Sequence, residues 1–315
     1  MLLAYYVHDL SPFLIQFNEK FGVRWYGLSY VAAFVVGYLV LRWLAQKGYT
    51  EIKPDAVGDF IAGCAIFGVL LGGRLGYMLF YDFGNFIHDP LIFIRVWDGG
   101  MSAHGGIVGV TLYTVWYSRR HKMRWLNVAD NIAVTVPIGL FMGRLANFIN
   151  GELYGRATNV PWAMQFPKEL YAAPAEMVDR AQAAAVAINP QWLGVDAIVN
   201  EARSSVALRE QLAAILTPRH PSQFYEAGLE GLLMFTILWT LRTCFRLPNG
   251  IISAAFFITY AFTRTAAEFF REPDAPLTGP LTRGQFLSLF LVLIGIVVLI
   301  YSLKRPQWPP KWQAR

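Results

Sequence analysis

The stretch Gly143-Arg-Leu-Ala-Asn-Phe-Ile-Asn-Gly-Glu-Leu-Tyr-Gly-Arg156 decides the class of this chain. It begins inside an apolar run long enough for a membrane helix. It then places Arg144, Asn147, Asn150, Glu152 and Arg156 where hydrocarbon is expected. An ionised side chain at mid-bilayer costs roughly 2.5–3.5 kcal/mol even on lenient insertion scales. Two arginines, a carboxylate and two amides this close together require an anionic partner or a polar cavity. The stretch therefore predicts a protein that holds something negatively charged at membrane depth.

Composition agrees with a membrane class. Hydrophobic residues make up 55% of the chain and charged residues only 15%, against about 25% charged in an ordinary soluble domain. Runs at about 25–43, 60–80, 105–117, 128–148, 227–241, 251–270 and 286–303 approach or exceed the roughly 20 residues that span a bilayer as helix. The expected fold is an all-α polytopic membrane protein, a bundle of about seven transmembrane helices. Residues 1–315 read as a single integral membrane domain. Within it, 153–223 forms a small extracytoplasmic head between the fourth and fifth transmembrane helices. The centre of that head is Ala-rich with scattered charge, which predicts short surface helices without a sizeable core of their own.

Short-loop Lys and Arg set orientation. Lys47 and Lys53 follow the first run, Arg119-Arg-His-Lys-Met-Arg124 the third, and Arg242 and Arg246 the fifth; Lys304, Arg305, Lys311 and Arg315 close the chain. An odd number of spans puts all four groups on the cytoplasmic side when the N-terminus lies outside. The expected topology is thus multi-pass, with the N-terminus outside and a cytoplasmic C-terminus. These anchors account for most of the +6 net charge, and no basic stripe with interleaved aromatics suggests a nucleic-acid partner. Gly68, Gly72 and Gly76, like Gly139 and Gly143, recur at four-residue spacing, the pattern that lets helix backbones approach closely in lipid. Arg74, off that face, either snorkels to the outer interface or joins the polar cavity.

Four clusters carry the chemistry. Asp98-Gly-Gly-Met-Ser-Ala-His104-Gly-Gly-Ile-Val-Gly109 precedes or opens the third helix, and sets an imidazole beside glycine-rich backbone suited to an anion. In the opening stretch, Arg144 and Asn147 share a helix face, and the helix should end at Asn150-Gly151. A plain salt bridge from Arg144 to Glu152 or Glu268 is the competing account. Tyr260, Arg264 and Glu268 recur at i, i+4 and i+8 on one face of the sixth helix. His220-Pro-Ser-Gln-Phe-Tyr-Glu226 stands at the entrance of the fifth, where Tyr225 and Glu226 read either as site residues or as interface anchors.

Two guanidiniums with asparagine donors grip a phosphate diester by forked hydrogen bonds, and a histidine beside them moves protons near neutral pH. No metal-ligand spacing, nucleotide loop or other cofactor motif accompanies them. The residues alone suggest a membrane enzyme acting on a phospholipid headgroup; the acceptor is left open. A non-catalytic lipid or anion transporter, with the same arginines lining its path, is the rival.

These motifs resemble a known family. His104–Gly109, Gly143–Arg156, His220–Glu226 and Phe269-Phe-Arg-Glu-Pro-Asp274 are similar to the bacterial prolipoprotein diacylglyceryl transferases. So are Arg24-Trp-Tyr-Gly27, Gly72-Gly-Arg-Leu-Gly-Tyr77 and Arg283-Gly-Gln285. Ala146 stands where that family usually has glycine, and the Ala-rich 171–216 insert is longer than its common head. The resemblance implies transfer of the sn-1,2-diacylglyceryl group of phosphatidylglycerol to the lipobox cysteine of a preprolipoprotein. The products are a thioether and glycerol phosphate, and no cofactor takes part. It implies functional roles for His104, Arg144, Asn147, Glu152, Tyr260, Arg264 and Glu268, with Tyr26 as a further candidate. Arg144 and Arg264 would hold the phosphate and His104 would accept the thiol proton, with Tyr260 as its partner or substitute. Asn147 and Glu152 would orient the headgroup or the arginines.

Overall fold

The computed structural model describes residues 5–17, 22–95, 99–272 and 280–313; Asp98, Pro273 and Asp274 of the motifs above lie outside them. Long helices occur wherever the apolar runs predict them. They are α1 (Trp25–Gln46), α2 (Val57–Phe80), α3 (Ala103–Arg120), α4 (Trp125–Asn150), α5 (222–244), α6 (Ile251–Glu268) and α7 (Arg283–Lys304). Among the described residues α1, α2, α4 and α7 are long and apolar enough to cross a membrane. The other three carry charged residues: Arg119 and Arg120 on α3, Glu226, Glu230 and Arg242 on α5, Arg264 and Glu268 on α6. The protein is a helical membrane protein, and charge also occurs within the apolar helices, as Arg74 on α2 and as Asp130 and Arg144 on α4.

The chain divides into two compact units, 1–33, 137–237 and 257–294 in the first, 34–136, 238–256 and 295–315 in the second. In the second unit α2 packs backbone to backbone on α3. A Cβ on Gly72 would stand 2.7 Å from the Gly105 carbonyl oxygen and 2.8 Å from Gly109 Cα, and one on Gly76 2.6 Å from Gly105 Cα. The small-residue face thus does what its spacing predicts, and it explains the glycines that follow His104. Gly139 and Gly143 differ: no atom comes within 4 Å of a Cβ built on either, so they face open space.

Arg74 neither snorkels nor joins a cavity. It is 2% exposed and spends its guanidinium on main-chain carbonyls of the loop before α3. Nε donates to Phe93 at 3.0 Å, Nη1 to Gly99 and to Gly100 (3.0 Å), and Nη2 to Ile92 and to Arg95 (2.8 Å). Gly99 and Gly100, both at φ +81°, supply the left-handed backbone that turns those carbonyls inward. Also in this unit, Asp130 accepts from the Gly250 amide (2.8 Å) and from the Ser253 amide (2.8 Å) and hydroxyl (2.7 Å). Arg242, 3.8 Å from the Asp130 carboxylate, also donates to the Tyr49 carbonyl. With both side chains buried, Arg242 is an internal counter-ion, not the loop anchor its position suggested.

In the first unit β1 (Tyr6–Val7) pairs in parallel with β4 (Met164–Gln165), while β2 (Phe13–Gln16) and β3 (Gly22–Arg24) form an antiparallel pair leading into α1. The 153–223 segment folds into three helices, Ala175–Ile188, Val195–Glu201 and Val206–Ala213. Contrary to expectation it owns a core: Leu170, Ala181, Ala185, Ile198, Ala202, Leu208, Leu212 and Leu216 are buried together with Val7 from β1. Each Leu or Ile sequestered this way contributes roughly 1.5–3 kcal/mol. Recruiting β1 supplies apolar surface that the segment lacks alone.

Candidate active site

Helix α4 ends at Asn150, and Gly151 at φ +66° takes the left-handed turn that its sequence predicts. The chain then passes between the ends of α5 and α6. Gly155 donates its amide to the His220 carbonyl (2.8 Å), Arg156 to the Phe270 carbonyl (2.9 Å), and the His220 amide returns to the Arg156 carbonyl (3.0 Å). A Cβ on Gly155 would meet the Phe270 and His220 carbonyls, so only glycine fits this crossing. Arg156 Nε adds a bond to the Arg271 carbonyl at 2.9 Å. Arg156 is therefore a clasp for three helix ends, and its guanidinium is exposed.

One turn before Arg144, α4 and α5 come together at Phe141 and Gly231. A Cβ on Gly231 would lie 2.6 Å from Phe141 Cβ. That approach brings Glu230 beside Arg144. Residues Ala227–Leu233 are wound as π-helix, a local irregularity frequent at functional sites. Arg144 Nη2 reaches Glu226 at 2.8 Å and Glu230 at 3.0 Å. Arg264 Nη1 reaches the same two carboxylates, at 3.1 and 3.4 Å, and its Nη2 bonds Glu268. Arg271 Nη1 is 3.1 Å from Glu226. Glu226 and Glu230 are fully buried, while the Arg144 and Arg264 side chains keep 15% and 13% exposure.

Three guanidiniums therefore face three carboxylates, and the formal charges cancel. Such a cluster survives burial because each ion has partners. Glu226 is a shared counter-ion, not an interface anchor. Glu230, absent from the sequence reading, is its equal. Neither carboxylate first suspected of neutralising Arg144 does so: Glu152 Oε1 instead receives a bond from Asn150 Nδ2 at 3.3 Å, and Glu268 pairs with Arg264. Arg144 spends only Nη2 here, so Nε and Nη1 are without a partner among the described residues.

Seven of the eight residues predicted for the site lie in the first unit: Tyr26, Arg144, Asn147, Glu152, Tyr260, Arg264 and Glu268. The Tyr260 hydroxyl feels the charges of Glu230, Arg264, Arg144 and Glu226, and Tyr26 those of Glu152 and Arg144. Asn147 is 6% exposed and one turn from Arg144. His104 belongs to the second unit, as the second residue of α3. Its turn is capped by Ser102, whose hydroxyl accepts from the Gly105 amide at 3.2 Å. The imidazole is exposed and makes no hydrogen bond among the described residues. His220 lies against Tyr225, its Nδ1 3.3 Å from the phenol oxygen, and burial holds its pKa below the ordinary histidine value.

Comparison with known proteins identifies the family. A model of the prolipoprotein diacylglyceryl transferases matches residues 12–301. This chain belongs to that family. A phosphatidylglycerol–prolipoprotein diacylglyceryl transferase of Bdellovibrio bacteriovorus is 39% identical, over 96% of this chain and 97% of the relative. Transferases of the same name are 40% identical in Xylella fastidiosa, over 97% of each chain, and 38% identical in Coxiella burnetii, over 97% of this chain and all of the relative.

Proposed function

We propose that the Arg144–Arg264 cluster binds the phosphate of phosphatidylglycerol while a cysteine thiolate takes its diacylglyceryl group. The protein is a phosphatidylglycerol–prolipoprotein diacylglyceryl transferase and performs the first step of lipoprotein maturation. The acceptor is the lipobox cysteine of a preprolipoprotein signal peptide. Its sulfur forms a bond to the glyceryl carbon, the carbon–oxygen bond to phosphate breaks, and glycerol phosphate leaves with the electron pair. A free thiol has a pKa near 8.5 and only the thiolate attacks, so a base is needed; exposed, unpaired His104 is suited to take that proton.

The observation that carries this reading is the sharing of Glu226 and Glu230 by both arginines. Because the cluster is neutral overall, selectivity for phosphate comes from directed donors. The unspent Nε and Nη1 of Arg144 point the way: a guanidinium fork matches two phosphate oxygens. As charge grows on the departing phosphate, fixed donors stabilise it without reorganising. Tyr260 sits within the cluster's field as a second hydroxyl for the leaving group. Tyr26, Asn147 and Glu152 orient the headgroup's glycerol, and Glu268 holds Arg264. Open space beside Gly139 and Gly143 leaves room next to Arg144 for a lipid.

The seven long helices all cross the bacterial inner membrane in this reading, with the N-terminus and the 153–223 head outside, where lipobox cysteines arrive. Removing buried Arg242 from the count of cytoplasmic anchors leaves Lys47, Lys53, Arg119, Arg120, Lys122, Arg124, Arg246 and the basic tail on the inner side. The test incubates purified protein with phosphatidylglycerol and a lipobox peptide. Thioether-linked diacylglyceryl peptide is expected, and Arg144→Ala should lower its formation at least 100-fold. Near-normal turnover in that variant would sink the phosphate-binding role.

A further inference from the structure

A second polar recess lies in the first unit, past the end of α4. It is lined by His8, Asn150, Pro167, Lys168, Val199 and Arg203. Its empty space, open mouth included, is about 210 Å³. Within that space there is room for about one water-sized group. Two side-chain atoms there, His8 Nε2 and Asn150 Oδ1, are buried with no hydrogen-bond partner among the described residues. His8 itself is 7% exposed, its ring 5.6 Å from that of Phe166 and 5.4 Å from that of Phe148. Burial of this kind holds the imidazole neutral by lowering its pKa to about 4.

No carboxylate lines the recess, but two cations do. Lys168 forms no ion pair among the described residues. Among the described residues Arg203 has Asn200 Oδ1, at 3.0 Å from Nη1, as its one side-chain hydrogen-bond partner. Burial lowers the pKa of both; for Lys168 the charge of Glu152 opposes the effect and that of Arg203 adds to it. Such a pair gains from an anion, since no carboxylate is bonded to it among the described residues, whereas the arginine cluster holds three.

We propose that this recess is a second binding site, for a hydroxyl-bearing phosphate. A ligand hydroxyl fills the water-sized space and donates to Asn150 Oδ1 or His8 Nε2, and the phosphate oxygens accept from Lys168 and Arg203. Asn150 lies six residues beyond Arg144, about 9 Å of helix rise, so the recess is a separate site on the same helix. Resting on the transferase reading, two sources share this chemistry: the glycerol phosphate released by the reaction, and the headgroup of a phosphatidylglycerol.

Calorimetry on the detergent-solubilised protein tests the proposal with sn-glycerol 1-phosphate, inorganic phosphate and glycerol as probes. Glycerol phosphate should bind more tightly than either other probe. Lys168→Met and Arg203→Met should weaken it at least tenfold, and Arg144→Ala should retain binding at this recess. In transferase assays, relief of inhibition by added glycerol phosphate at unchanged KM assigns the site to the released product; a raised KM for phosphatidylglycerol at unchanged kcat assigns it to the lipid headgroup. Equal binding by wild type and both Met variants, or loss confined to Arg144→Ala, would overturn the proposal and leave the recess a water site. Because binding is read without turnover, an inactive wild type would count against the transferase reading alone.

Discussion

Replacing Glu230 by glutamine tests the counter-ion arrangement directly. The side chain keeps its size and loses one negative charge, which turns three charges against three into three against two. Its oxygens lie 3.0 Å from Arg144 and 3.4 Å from Arg264. At an effective dielectric constant of about 20, each attraction is worth about 5 kcal/mol before opposing effects. Repulsion from Glu226, which shares both arginines, and the desolvation of the carboxylate offset much of that. Breaking a buried pair costs about 3–5 kcal/mol. Each arginine retains another carboxylate here, Glu226 for Arg144 and Glu226 with Glu268 for Arg264, so the lower end applies. About 3 kcal/mol lost from the productive arrangement corresponds to roughly 150-fold in kcat/KM. The assay is thioether formation on a lipobox peptide at varied phosphatidylglycerol, beside a thermal unfolding curve in the same detergent. Glu230→Asp, which retains the charge at a shorter reach, should fall between. Glu230→Gln with more than half of wild-type kcat/KM and an unchanged unfolding midpoint would refute the reasoning.

Gly284 on α7 is the wall behind Glu268: a Cβ there would stand 2.9 Å from Glu268 Cδ and 3.1 Å from Arg264 Nε. Gly284→Ala should therefore lower kcat by about tenfold, within the roughly 1–3 kcal/mol cost of overpacking, while steady-state kinetics and a melting curve show activity falling more than stability. Arg74→Lys keeps the charge and loses the planar fork. Limited proteolysis should find residues 92–95 and 99–100 cut sooner, and turnover should drop because Gly99 and Gly100 lead into Ser102 and His104. His8 contributes a pH dependence. Unfolded, it takes a proton near pH 6.5; folded, only at about 4. Stability is thus fully present above pH 6.5 and declines by about 3 kcal/mol as pH falls to 4. His8→Gln should flatten that limb of an unfolding-midpoint-versus-pH plot.

The helices were legible because hydropathy and end signals act locally: α4 stops at Asn150-Gly151 for a reason contained in those two residues. The arginines were legible because hydrocarbon makes a charge conspicuous. Their partners were not, since pairing depends on where three helices meet. Glu226 sits near a helix start, where an exposed anchor is equally sensible, and its meaning changes only when Arg144, Arg264 and Arg271 converge on it. A signal did exist for Glu230. Two arginines inside apolar segments demand compensating carboxylates, and an acidic residue within the apolar run of α5 is as costly alone as an arginine. Charge balance between helices, not within one, would have found it. No comparable signal exists for Arg74, whose acceptors are main-chain carbonyls that every residue carries. The same limit divides the motif His104-Gly-Gly-Ile-Val-Gly109. Read as one string it suggests a single anion-binding loop. In the fold Gly105 and Gly109 lie against Gly72, serving helix packing, while His104 is exposed and is the residue of the motif with a side chain suited to chemistry. A string of adjacent residues can therefore satisfy two unrelated demands, and only the packing partner of each glycine separates them.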